Sequence, residues 1–173
     1  MNGEKEVGYS IHRVRPGMDD GELYFVKHIP LGENQTYSDV HELMVSSIIN
    51  DVPVVLDKIV KGALSGEAQP ETGFAYCNRF SPRMGDISGF CKSSQYYRDL
   101  FRCMAKPLGS GLYFKYKENT FYVDLLEHGN KYGVIDYKGI PGKIVNCNEN
   151  SIWVKTSDNI IVLSDIYLDG ILI

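Results

Sequence analysis

Long apolar runs are missing from this chain of 173 residues, and no stretch reaches the length of a membrane span. The first ten residues, MNGEKEVGYS, hold no apolar core of the kind a secretory leader carries. Both absences predict a cytoplasmic protein with no membrane partner. An excess of basic charge is missing as well. Lys and Arg number 18 against 22 Asp and Glu, a formal net charge of -4, which argues against a chain built mainly to hold nucleic acid. Metal-binding spacing is also lacking. Cys77, Cys91, Cys103 and Cys147 form no C-x-x-C or His-paired pattern, so no zinc or other metal site is expected. Four free, mostly buried thiols in a reducing compartment are expected instead.

What is present is ordinary for a globular protein: 43% hydrophobic residues and 23% charged. Tyrosine is the exception, with 12 copies. A phenol packs its ring and keeps its hydroxyl bonded, so this favours strands and half-buried surfaces.

Period and punctuation give the organisation. Residues 6–12 and 22–31 alternate as strands. From residue 36 the spacing turns helical, with Tyr37, Val40, Met44 and Ile48 on one face. Asp51 and Pro53 predict a restart into a second helix that stops at Gly62. Residues 62–92 read as one long loop, a feature that in compact domains is usually functional. A third helix follows, capped by Ser93 or Ser94, with Tyr97, Leu100, Phe101 and Met104 as its apolar stripe and Pro107 as its end. Short runs at 111–116, 120–127, 132–137, 142–147, 151–156 and 159–166 then read as strands. The expected fold class is α/β followed by a small β-barrel-like domain, divided as 1–107 and 108–173.

One stretch crowds chemistry around a turn. SIHRVRPGMDDGELY, residues 10–24, sets Ser10, His12, Asp19 and Asp20 on either side of Pro16-Gly17, in a loop longer than a two-residue hairpin turn. Gly8, Ser10, Ile11 and His12, then Asp19, Asp20 and Gly21, resemble the centre of the folate-dependent formyltransferase family. That family joins glycinamide ribonucleotide, methionyl-tRNA and sugar N-formyltransferases. NRFSPRMGDISGF resembles the R-x-x-P-x-x-G-x-I segment of the sugar-directed members. YYRDLFRCMAKPLGSGLYF resembles a helix ending in an Arg-Ala pair, with Arg102 and Cys103 at those positions. The segment from Gly139 to Ile166 is similar to the family's small C-terminal β-domain.

The resemblance implies a partial Rossmann-like catalytic domain and transfer of a formyl group from 10-formyltetrahydrofolate to an amine. It implies Asp19 as the catalytic carboxylate, with His12 and Ser10 as neighbouring donors. Pro16, Gly17 and Met18 would line the pterin side of the cofactor site, and Asn78 and Arg79 would anchor the substrate. The chemistry explains the residue types. Formyl transfer passes through an oxyanion that needs positioned donors, and the amine must lose a proton. The family also uses an Asn-x-His pair from an N-terminal Rossmann half, and no such pair precedes Asp19 here. A truncated form, or a partner chain carrying that half, is therefore expected, and the chain alone is expected to be inactive. The same gap predicts an exposed edge or face on strands 6–12 and 22–31, inviting a second copy.

The acceptor follows from charge. Residues 106–173 contain 7 Lys and no Arg against 8 Asp and Glu. A domain that tracks tRNA phosphates should be basic, so a nucleotide-linked amino sugar ranks above methionyl-tRNA as the acceptor. Two other readings remain open: a non-catalytic relic or subunit that binds the acceptor, and a methionyl-tRNA formyltransferase fragment.

Overall fold

A computed structural model describes residues 4–17, 19–70, 79–133 and 137–173. They form two compact units. One comprises Glu4–Gln35 with Asp39–Arg79, the other Thr36–Ser38 with Phe80–Ile173.

In the first unit, β1 (Glu6–His12) pairs antiparallel with β2 (Leu23–Pro30), Glu6 opposite Pro30 and Ile11 opposite Phe25. The register slips between Ile11 and His12, so His12 faces Leu23. Alternation decides the faces. Val7, Tyr9, Lys27 and Ile29 are half-buried, while Gly8, Ser10, Val26 and His28 are exposed. Helix α1 (Tyr37–Val60) meets the covered face: the Tyr9 hydroxyl donates to Ser47 Oγ (3.1 Å) and to Asp51, and Lys27 Nζ donates to Asp51 (2.8 Å).

The expected break at Pro53 does not occur; α1 is one helix of 24 residues with Pro53 inside it. Proline removes one N–H, which leaves the Ile49 carbonyl without its helical partner. Ile49 is 66% exposed, so water can serve that carbonyl and the helix continues. The stop at Gly62 is as expected. Its φ is +67°, and Gly62 N–H and Ala63 N–H donate back to Ile59 and Lys58.

The second unit is built on an antiparallel sheet of six strands: β3 (Leu112–Tyr116), β4 (Asn119–His128), β5 (Ile144–Cys147), β6 (Ser151–Lys155), β7 (Ile160–Leu168) and β8 (Ile171–Leu172). Their order is β3-β4-β7-β6-β5 with β8 on β7, an open path that ends at β3 and β5. The α/β-then-β class holds, and the second part is an open sheet among the described residues. Helix α2 (Ser94–Met104) packs its Tyr97, Leu100 and Met104 stripe into one core with Leu112, Val123 and Leu163. Ser93 caps it, accepting from Tyr96 N–H at 3.1 Å, and Asp158 accepts from Ser94 N–H at 2.7 Å.

Three further expectations are corrected. Of the expected strand at 132–137, Tyr132 instead ends a 3₁₀ turn, Gly129–Tyr132, and 134–136 lie outside the described residues. Part of the long loop is ordered: Pro82–Gly85 is a 3₁₀ turn, and Ile87 and Phe90 join the core. The thiols are not mostly buried. Cys91 and Cys147 are exposed and Cys103 is half-buried, while Cys77 lies outside the described residues.

Candidate active site at the mouth of the first hairpin

The loop between β1 and β2 brings His12 and Asp19 together, with His12 Nε2 3.7 Å from Asp19 Oδ1. That gap is too long for a direct hydrogen bond and is the span a bridging water or an amine would fill. On its other side, His12 Nδ1 lies 3.1 Å from the Arg13 carbonyl. An N–H donated there fixes the tautomer, leaving Nε2 as the acceptor that faces Asp19. Ser10 sits two residues back on the same exposed strand face. An open groove of about 330 Å³ runs along this hairpin, lined by Glu6, Val7, Gly8, Tyr9, Ser10, Val26 and His28; Ser10 lines it, and His12 and Asp19 do not.

Backbone geometry aims Asp19. Its φ is +52°, the left-handed region that Asp tolerates better than most residues, and its side chain is 87% exposed. Gly21 is buried beside it, where a Cβ would lie 1.7 Å from the Arg13 carbonyl oxygen. Only glycine fits that approach, which gives the Asp-x-Gly pattern a physical reason. The loop closes through Arg13 N–H donating to the Glu22 carbonyl (2.9 Å) and through the Arg15–Glu22 ion pair.

Gln69 completes the frame, and the sequence carried no sign of it. Its Nε2 donates to the carbonyls of Asp19 (2.6 Å) and Gly21 (2.7 Å). A lone glutamine in a stretch without period has no local signal. Its role exists because Leu23 and Glu67 exchange backbone bonds of 2.7 and 2.8 Å, laying that stretch beside the hairpin mouth.

The expected cofactor and substrate residues fall out less evenly. Pro16 and Gly17 are exposed in the loop, uncharged and two to three residues from Asp19. Met18 and Asn78 lie outside the described residues. Arg79 is exposed, one residue before Phe80. Among the described residues no group of His, Cys, Asp and Glu could hold a metal ion, and no helix is long and apolar enough to cross a membrane.

The hairpin is held to α1 by charge. The Lys27 ammonium, and then the Tyr9 hydroxyl, hold the Asp51 carboxyl below its usual 3.8, and the bond to Asp51 raises Lys27 above 10.5. The Asp51 contribution is therefore present above pH 3.8 and is lost as pH falls through its lowered folded value. The Lys27 contribution is present below pH 10.5 and is lost as pH rises through its raised one. Asp51→Asn should flatten the acid limb of the first unit's stability profile and leave neutral-pH folding intact. Amide exchange of β1 and β2 measured from pH 2 to 7 gives the comparison; an unchanged acid limb would remove Asp51 from the account.

This geometry, a carboxylate and an imidazole 3.7 Å apart at the mouth of a β-hairpin, is of the class that can pass a proton. Known proteins share the fold. No family model matches the chain. Methionyl-tRNA formyltransferase of Clostridioides difficile is 26% identical over 170 residues, 97% of this chain and 52% of the relative. An N-formyltransferase from Helicobacter canadensis, solved with folinic acid and dTDP-3-aminofucose, superimposes with a TM-score of 0.68. It has 15% identity, covering 96% of this chain and 58% of that one. HypX from Aquifex aeolicus in complex with tetrahydrofolic acid gives a TM-score of 0.67 at 12% identity, covering 96% and 28%. The resemblance to folate-dependent formyltransferases holds in both sequence and fold. The chain spans about half the length of the curated relatives it matches.

Proposed function

We propose that this chain is the Asp19-bearing part of a cytoplasmic formyltransferase that moves a formyl group from 10-formyltetrahydrofolate to an amine. The observation that carries the reading is the 3.7 Å pairing of His12 Nε2 with Asp19 Oδ1 on a loop whose Gly21 tolerates no side chain. In the reaction the amine attacks the formyl carbon, the carbon–nitrogen bond to the folate breaks, and the amine's proton passes to the departing nitrogen. Asp19 takes that proton directly or through a water that donates to both Asp19 Oδ1 and His12 Nε2. Ser10 offers a hydroxyl donor, and Pro16 to Met18 lie against the pterin. Asn78 and Arg79 hold the acceptor, with residues 1–107 as the catalytic part and 108–173 as the C-terminal β part.

An Asn-x-His pair supplied by another segment or by a partner chain completes the site. Residues that act as a unit lose nearly everything when one is removed, so this chain alone is expected to be inactive. The acceptor we favour is a nucleotide-linked amino sugar, supported by the net acidic balance of residues 106–173 and by the dTDP-3-aminofucose in the Helicobacter canadensis complex. Methionyl-tRNA is the second reading, favoured by the relatives that span 97–98% of this chain. A competition assay decides between them. With the completed enzyme, a thymidine or uridine diphosphate amino sugar should be formylated and methionyl-tRNA should not. In addition, Arg79→Ala should weaken diphosphate binding by about 2 kcal/mol. Formylation of methionyl-tRNA alone would overturn the sugar assignment.

A further inference from the structure

We propose that the second unit carries a slot for one uncharged planar ring, of the nucleobase class, resting on Tyr37 and Phe80. The slot is a cavity of about 230 Å³ whose lining includes Tyr37, Phe80, Pro82 and Leu108 together with Ser81 and Ser110, which carry hydroxyls. Sites for whole drug-sized ligands run from roughly 300 to 1,000 Å³, so this one accepts a single ring. None of its lining residues carries a formal charge. A ring that enters is therefore neutral, and any phosphate attached to it stays outside.

The apolar wall is open to water. Tyr37 is 46% exposed, Phe80 57% and Leu108 50%, three large side chains around one concavity. The two aromatic rings are already parallel to within 25°, with centroids 6.4 Å apart, so a third flat ring extends an existing stack. Every nucleobase offers such a face, and hydroxyls in the lining suit its polar edge.

The slot is preformed. Leu108 N–H donates to Ser38 Oγ at 3.4 Å and Gly109 N–H to the Ala105 carbonyl at 2.9 Å. A Cβ on Gly109 would meet the Met104 carbonyl oxygen at 2.1 Å, so the floor is close-packed backbone. Ser81 fixes the opposite wall by capping the 3₁₀ turn Pro82–Gly85, accepting from Arg83 N–H at 3.4 Å. Little ordering is left for a ligand to impose. Assigning the ring to the acceptor's base rests on the proposed function; the slot itself does not.

The test is ligand-observed NMR and titration of the 173-residue chain with thymidine, uridine, their diphosphates and tetrahydrofolate. Thymidine and uridine should bind, the diphosphates should bind no less tightly, and Tyr37→Ala and Phe80→Ala should each weaken them about tenfold. Trp153 fluorescence should stay unchanged, showing that the unit is folded. Should either variant misfold, Ser110→Phe, which puts a ring of its own into the lining, must abolish binding instead. Binding of tetrahydrofolate but of neither nucleoside would overturn the nucleobase assignment. No binding by any of them, or equal affinity in all variants, would overturn the slot. A failure of formyl transfer in the completed enzyme leaves these readings untouched, so the two proposals fail separately.

Discussion

Asp19→Asn should slow formyl transfer by about a thousandfold in the enzyme completed by an Asn-x-His segment, with little change in folding. The carboxylate is 87% exposed and makes no packing contact that the amide would lose in volume. Its backbone carbonyl, held by Gln69 at 2.6 Å, is untouched by the substitution. What is lost is a negative oxygen facing His12 Nε2 and, on the proposed function, the group that would take the amine's proton. Single-turnover rates with saturating acceptor isolate that step from binding. A fall of less than about tenfold would place the proton acceptor elsewhere.

Gly21→Val should have the largest effect on the fold of the first unit. A Cβ at this position would sit 1.7 Å from the Arg13 carbonyl oxygen and 2.6 Å from its carbon, both backbone atoms with no rotamer to change. The strands must part, breaking the 2.9 Å bond from Arg13 N–H to the Glu22 carbonyl and the 2.7 Å bond from Gln69 to Gly21. Overpacking with two lost bonds costs on the order of 3 kcal/mol. Loss of amide protection at Arg13 and along β1 is the readout. Trp153 belongs to the other unit and does not report on it. Native-like protection at Arg13 in Gly21→Val would contradict the close approach.

Where local pattern and tertiary context agree, the sequence was readable. β1 follows its alternation from Glu6 to His12, and α2 starts after Ser93 and buries Tyr97, Leu100 and Met104 as the stripe requires. Local rules failed where tertiary structure overrode them. Pro53 signals a boundary, yet an exposed helix needs only one carbonyl hydrated to continue past it. Ile87 and Phe90 have no period, and they are buried because the Ile87 N–H is bound by the Tyr113 carbonyl at 2.9 Å beside the sheet.

The candidate site divides the same way. His12, Asp19 and Gly21 lie within ten residues and share one loop, so their pattern was visible in the sequence. Gln69 reaches the loop across 50 positions of sequence. A contact of that separation leaves no periodic trace.

The most direct test of the central claim is complementation. The 173-residue chain is mixed with the separately produced part of the Clostridioides difficile methionyl-tRNA formyltransferase that this chain does not cover, 10-formyltetrahydrofolate and a panel of amine acceptors. Neither piece alone should release tetrahydrofolate, and together they should do so only when Asp19 is intact. Turnover by the 173-residue chain alone, or turnover by the mixture that persists in Asp19→Asn, would contradict the account.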